Sequence, residues 1–326
     1  MKEISIRDIP NITIGQVEDP SAGTGVTVFI SPAGMAAGLD VRGGGPASRE
    51  TELLKPLAAA QVIHAVVLGG GSAFGLDAAG GVMQKLEEEG IGFPVGVTRV
   101  PLVCQSDIFD LGVGDCHTRP DKAMGYQAAQ IALTQGGNYQ DGNFGGGCGA
   151  TVGKWKGMRN AMKSGIGSYA VQVGELQVGA VVIVNAIGDI YDPSTGKKIA
   201  GLLNDEKNGF LNTEAQMYQK IDIPENKFTG NTTIGIIITN GRFDKTRLCK
   251  IAGMAHDGMA RAIRPVHTTA DGDSIYAVSV GEVAADQDIT GTLAAEVLEK
   301  AIIRAIDSAE SAYGLPSRRD LPKEMQ

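Results

Sequence analysis

The chain is predicted to adopt an α+β fold, and three observations support this. Short apolar runs rich in Val and Ile recur along the 326 residues, at Val26–Ile30, His64–Leu68, Val178–Val184 and Ile234–Thr239. Longer segments repeat apolar residues at helical spacing instead: Ala73–Glu89, Asp121–Thr134, Thr246–Ile263 and Leu293–Ala312. The two kinds of element are interleaved without the regular βαβ cadence of a doubly wound sheet.

Taken in order, Ile12–Val17 and Val26–Ile30 are predicted as short strands separated by turns containing Gly, Pro and Ser. His64–Leu68 is a strand ending in Gly69-Gly70-Gly71-Ser72, and Ser72 is a natural N-cap for the helix Ala73–Glu89. Met124, Ala128, Ile131 and Ala132 give Asp121–Thr134 its apolar face. Tyr169–Val173 and Val178–Val184 pair through Gly174-Glu175, with Asn185 closing the second strand, and Pro193–Gly196 is a turn. Leu203–Thr229 is polar, carries a short helical piece around Thr213–Lys220 and reads as a surface connection. The strand Ile234–Thr239, a helix, the strand Ser274–Val280 and a final amphipathic helix complete the chain.

Composition excludes several functional classes. A net charge of −8 without a Lys/Arg block argues against nucleic acid as partner. No apolar stretch approaches a membrane span, and Met1–Asp8 lacks a signal-peptide core, so no membrane partner is expected. Cys104, Cys116, Cys148 and Cys249 form no C-x-x-C pair, and His64, His117, His256 and His267 form no H-x-x-x-H, so no metal site is expected and a reduced, cytoplasmic setting fits. The Gly69–Gly75 turn misses the G-x-G-x-x-G offsets and has no following G-K-[ST]. It reads instead as a strand-to-helix turn whose free N–H groups bind a carbonyl or carboxylate, which nominates Gly70, Gly71 and Ser72 for a substrate pocket.

Chemistry concentrates at Gly230-Asn231-Thr232-Thr233, directly before the apolar strand. A hydroxyl residue at the head of a buried strand, behind an Asn231–Thr232 bond exposed in a polar loop, is where the chain can cut itself. Thr232 would then carry an α-amine with a reference pKa of about 7.7–8.0, able to take its own hydroxyl proton near neutral pH. Three further features admit both structural and functional roles. Asp271-Gly272-Asp273 is a turn, or a carboxylate pair that orients an ammonium or hydroxyl. Asn185 is a strand-end amide or an oxyanion donor. Lys154 is a solvated charge, or a cation packed among glycines that tunes a nearby amine.

At Gly45–Thr51, Gly70–Asp77, Ile108–Gly112, Gly149–Lys154, Asn185–Asp189, Gly230–Thr233 and His267–Asp273 the chain resembles the L-aminopeptidase/D-amidase/D-esterase family of self-processing hydrolases, which includes β-peptidyl aminopeptidases and nylon-oligomer endohydrolases. The similarity covers nearly the whole chain. It implies an αββα sandwich of the N-terminal-nucleophile-hydrolase type, a single domain cut between Asn231 and Thr232 into 1–231 and 232–326, and Thr232 as nucleophile. It also implies Asn185 as the oxyanion residue, Lys154 near the nucleophile, no cofactor, a small peptide or amide substrate, and a homo-oligomer of four or more subunits. Asp271-Gly272-Asp273 is similar to the nylon-oligomer branch; the aminopeptidases have a serine nucleophile and Ser-x-Glu. Phe109 departs from that branch, which has a tyrosine there, so a hydroxyl near the scissile carbonyl is missing. Ornithine acetyltransferases share a similar fold and a threonine nucleophile, which makes acyl transfer the alternative chemistry, and a non-catalytic member of the same fold is the third reading.

Overall fold

The computed structural model describes residues 1–219 and 230–325. Its main sheet contains β1 (Lys2–Ile4), β2 (Thr13–Asp19), β3 (Thr24–Val41), β4 (Ala47–Arg49), β5 (Ile63–Gly69), β6 (Val103–Asp107), β7 (Ile166–Val173), β8 (Leu176–Asn185), β9 (Thr232–Gly241) and β10 (Ser274–Val283). They run in the order β1-β7-β8-β9-β10-β3-β5-β6-β4, with β2 also paired to β3. Two pairs, β9/β10 and β5/β6, are parallel. The principal helices are α1 (Ala78–Glu88), α2 (Lys122–Thr134), α3 (Lys245–Ala262) and α4 (Gln287–Ser308).

β3 joins the two halves of this sheet. It is 18 residues long where the sequence suggested a short strand followed by a turn. Thr24–Ile30 pairs with β2, Val26–Ile30 with β5, and Ala36–Val41 with β10. What reads as a turn at Ser31–Gly34 is a break of register inside one strand. Pro32 has no N–H to give the ladder and Gly34 takes φ 87°, so the strand bends there without ending.

Side-chain alternation then assigns the layers. Ile234, Ile236 and Ile238 of β9 point with Val181 and Ile183 of β8 into a core that also holds Phe29, Val66 and Leu68 from the other half-sheet. Ile237, Val182 and Val184 point the opposite way, onto Leu248 and Ile251 of α3 and Ala301 and Ile302 of α4. Val26, Val28, Ala65 and Val67 likewise meet Val82 and Leu86 of α1 and Ala128 and Ala132 of α2. Three buried clusters between four layers make the αββα sandwich that the resemblance implied.

Most element boundaries agree with the sequence, and caps explain them. Asp121 accepts from Met124 N at the start of α2, and Asp244 from Arg247 N at the start of α3. α4 starts at Gln287 rather than Leu293 because the Asp286 carboxylate accepts from the amides of Asp288 and Ile289. Ser72 is not a side-chain cap. Ser72–Asp77 is a 3-10 turn preceded by Gly71 at φ 82°, Ser72 itself has φ 54°, and α1 begins only at Ala78. A short helix occupies Thr213–Tyr218 as expected, whereas residues 220–229 of the polar connection lie outside the described residues.

Candidate active site

Three neighbouring strands bring the nominated residues together. β8 ends at Asn185, which lies directly opposite Thr232 at the start of β9. β9 runs parallel to β10 with Ile234 beside Ser274, and the bridge between Asn231 and Asp271 continues that register back to the Asp-Gly-Asp segment. The end of one apolar run and the starts of two others therefore meet at one end of the sheet.

The Asn231–Thr232 bond is not exposed, contrary to the sequence expectation. Asn231 and Thr232 are 2% and 4% accessible, because the bridge to Asp271 extends the buried ladder past the apolar segment. The Thr232 hydroxyl donates to the Asn231 carbonyl oxygen, which also accepts from Gly272 N at 3.1 Å. Gly230 has φ 56°, and a Cβ there would lie 2.2 Å from the Phe109 ring, so only glycine fits this approach to the bond.

Asn185 is fully buried and its amide is oriented by its neighbours. Oδ1 accepts from Thr151 N at 3.1 Å, Thr151 Oγ1 at 3.2 Å and Lys154 Nζ at 2.9 Å. Three donors on one oxygen leave Nδ2 to face the carbonyls of Phe109 (3.1 Å) and Gly230 (3.4 Å). Lys154 is a buried cation rather than a surface charge. Its Nζ donates to Asn185 O and Gly230 O, each at 3.0 Å, as well as to Asn185 Oδ1. Burial pulls its ammonium down to about 7, and the carboxylates of Asp271, Asp110 and Asp273 limit the fall.

Asp271 and Asp273 hold the adjoining turn. Asp271 Oδ2 accepts from Thr268 N and Oγ1 at 2.8 and 2.6 Å. Asp273 Oδ2 accepts from His267 N and Nδ1 at 3.0 and 2.8 Å, and its Oδ1 takes the Thr233 amide at 2.8 Å. The pair thus sits beside the strand head that carries Thr232. Burial, reinforced by the neighbouring Asp273 carboxylate, raises the Asp271 carboxyl above the ordinary range.

A cavity of about 40 Å³ adjoins Thr232, lined in part by Ala47, Ser72, Asp107, Phe109, Gly230 and Thr269. That is room for about one water, far below the several hundred Å³ of a pocket that encloses a ligand. Ser72 and Phe109 therefore border the site. Gly70 and Gly71 are not among its lining residues, and the N–H groups of the turn are taken: Gly70 N by Gly25 O, Gly71 N by Asp110 Oδ1 and Ser72 N by Ile108 O. The turn does bind a carboxylate, but it is the chain's own Asp110. A larger groove of about 580 Å³ beside β1 shares no lining residue with this cavity. Within it Arg304 pairs with Glu3 at 2.8 Å, and Asp141 accepts from the hydroxyls of Tyr139 and Ser168.

Sequence reasoning passed over several residues here. Asp107 is fully buried and lines the cavity; its Oδ1 is bound to Gln105 Nε2 at 2.8 Å, and its Oδ2 has no hydrogen-bond partner among the described residues. Burial raises its carboxyl well above the usual range. The available signal was a pair of carboxylates, Asp107 and Asp110, bracketing Ile108-Phe109 in an otherwise apolar block. Thr151 and His267, which orient Asn185 and Asp273, lay inside blocks already singled out.

Comparison with known proteins identifies the family and the fold. The model of peptidase family S58 matches residues 5–319. An uncharacterized aminopeptidase of Mycobacterium leprae is 36% identical over 96% of this chain and 92% of its own length. A 6-aminohexanoate-oligomer endohydrolase of Paenarthrobacter ureafaciens is 30% identical over 91% of this chain and 84% of its own. Among solved structures, the L-aminopeptidase D-Ala-esterase/amidase of Ochrobactrum anthropi, described as a variant of the Ntn hydrolase fold, superposes with a TM-score of 0.68 at 17% identity, covering 96% of this chain and 89% of that one. A Burkholderia β-aminopeptidase gives 0.68 at 19% identity, covering 96% and 90%. The chain belongs to peptidase family S58 and is a hydrolase of peptide or other amide bonds.

Proposed function

We propose that this protein is a self-processing amide hydrolase of the aminopeptidase or amidase type, with Thr232 as nucleophile and, once freed, its α-amine as base. The observation that carries this reading is the Thr232 hydroxyl on the carbonyl of the preceding residue, in a buried strand head facing Asn185. Maturation would divide the single domain into 1–231 and 232–326. The fragments should stay together, because β9 is hydrogen-bonded on both sides, to β8 and β10.

In turnover the Thr232 amine takes the Oγ1 proton, Oγ1 attacks the substrate carbonyl carbon, and Asn185 Nδ2 stabilises the oxyanion. The proton passes to the leaving nitrogen as the C–N bond breaks, leaving an ester on Oγ1. Water, giving its proton to the same amine, then releases the acid and restores the hydroxyl. In this reading Asp271 and Asp273 orient the new ammonium. Asp107 in the cavity wall supports substrates with a hydrogen-bond donor on the acyl side, such as a free amine, and Phe109 supplies an apolar wall.

Intact-mass measurement with N-terminal sequencing tests the reading. Purified protein should contain a fragment beginning Thr232-Thr233-Ile234, and a chain that stays whole on prolonged incubation would refute it. A second result follows from Lys154. Its ammonium disfavours protonation of the neighbouring amine, so the Lys154→Met enzyme should show the acid limb of kcat/KM displaced to higher pH, by roughly one unit. An unmoved limb in the pH–rate profile would remove Lys154 from that role.

A further inference from the structure

Self-cleavage and turnover each create an oxyanion, and in the uncut chain different donors face the carbonyls of Asn231 and Gly230. The scissile carbonyl is that of Asn231. Its oxygen accepts from Gly272 N at 3.1 Å. Asn185 Nδ2 and Lys154 Nζ instead contact the carbonyl of Gly230, one residue upstream, at 3.4 and 3.0 Å, and Nδ2 also donates to Phe109 O at 3.1 Å. Resting on the reading of Thr232 as a self-processing nucleophile, we propose that the backbone N–H of Gly272 is the oxyanion donor for maturation, while the Asn185 amide is held on Gly230 until the chain is cut.

The Gly272 donor arises from sheet register. β9 and β10 are parallel, and the Asn231–Asp271 bridge keeps their register three residues before the first ladder pair, Ile234 and Ser274, so the hydrogen bond from Gly272 N falls on the bond to be broken. The loop behind it is pinned from several sides. Gly45 N donates to Asp271 O at 2.9 Å, Arg42 N to Asp273 O at 3.0 Å, and the side chains of Asp271 and Asp273 are tied to Thr268, His267 and Thr233. A donor fixed in this way needs no reorganisation as charge develops, and 3.1 Å is within the range of an effective oxyanion contact. Glycine is also required sterically, since a Cβ at 272 would lie 2.8 Å from Thr232 Oγ1.

The step balances within the chain. A bond forms between Thr232 Oγ1 and the Asn231 carbonyl carbon, and the negative charge falls on Asn231 O against the Gly272 N–H. The proton from Oγ1 ends on Thr232 N as the C–N bond breaks, giving an ester. Water then hydrolyses this ester to the Asn231 carboxylate and the free hydroxyl. Departure of the Gly230-Asn231 end releases Asn185 Nδ2 and Lys154 Nζ for a substrate carbonyl.

An amide-to-ester exchange at residue 272 removes this N–H while adding no side chain. The full-length chain would be made with glycolic acid at 272, and a control with lactic acid at Ala277, a buried position further along β10. The 272 ester should mature about 10²–10³-fold more slowly than wild type, whereas the 277 ester should mature at the wild-type rate. Wild-type maturation of the 272 ester, or equal slowing by both esters, would overturn the assignment. Should the 272 ester not fold, NMR of the uncut Thr232→Ala chain reads the same contact: a scalar coupling between Gly272 ¹⁵N and the Asn231 carbonyl ¹³C is expected, and its absence refutes the donor. Failure of the wild-type chain to be cut before Thr232 would instead defeat the self-processing reading on which the assignment rests.

Discussion

Thr232→Ala protein should remain a single uncut chain and lose amide hydrolysis by on the order of 10⁴–10⁶-fold, the loss seen when an enzyme's nucleophile is removed. In the proposed chemistry one hydroxyl is required twice. Without Oγ1 nothing attacks the Asn231 carbonyl, so no chain end forms, and the α-amine that would serve as base stays locked in a peptide bond. The fold should survive, because Thr232 contributes one small side chain at the edge of the core and its backbone pairing with Asn185 is kept. Thr232→Ser retains the hydroxyl and should still be cut. Denaturing electrophoresis and thermal unfolding of the same samples separate loss of chemistry from loss of structure. Splitting of the alanine variant at this bond would show that the hydroxyl is not the agent.

Asn185→Ala should lower turnover by about 10²–10³-fold, the usual consequence of deleting one oxyanion donor. It should also destabilise the protein, because Thr151 N, Thr151 Oγ1 and Lys154 Nζ lose their shared acceptor in a buried place. Each stranded donor costs about 1–3 kcal/mol. Asn185→Asp separates the two effects: the carboxylate still accepts from Thr151 and Lys154 but offers no N–H to a substrate oxyanion. The aspartate variant should therefore be as slow as the alanine variant while unfolding at a higher temperature. Wild-type kcat in the aspartate variant would assign the oxyanion to another donor.

Much of the site was legible because its residues interrupt regular patterns. Thr232 stands at the head of an apolar strand, Asn185 ends another, and Asp271-Gly272-Asp273 precedes a third, so three breaks in periodicity marked three strand ends. The helices were legible from their apolar spacing, whereas the aspartate caps at the starts of α2 and α3 emerged with the structure. β3 was not, because Pro32 and Gly34 signal a turn to any local reading, and only pairing with β5 on one side and β10 on the other carries the strand through them. Burial of the Asn231–Thr232 bond was equally hidden. A polar tetrapeptide reads as surface unless its ladder partner is known, and that partner, Asp271, lies 40 residues away in the chain from Asn231.

By itself the sequence determined the class of fold, the family through its ordered motifs, and the hydroxyl on which the proposed chemistry depends. These follow from residue types and short-range spacing. The tertiary structure decided which donor faces which carbonyl: Gly272 N that of Asn231, Asn185 and Lys154 that of Gly230. It also brought Asp107 to the cavity wall. Hydrogen bonds of about 3 Å depend on the register between strands distant in sequence, and moving a strand by one residue exchanges its faces and its carbonyls.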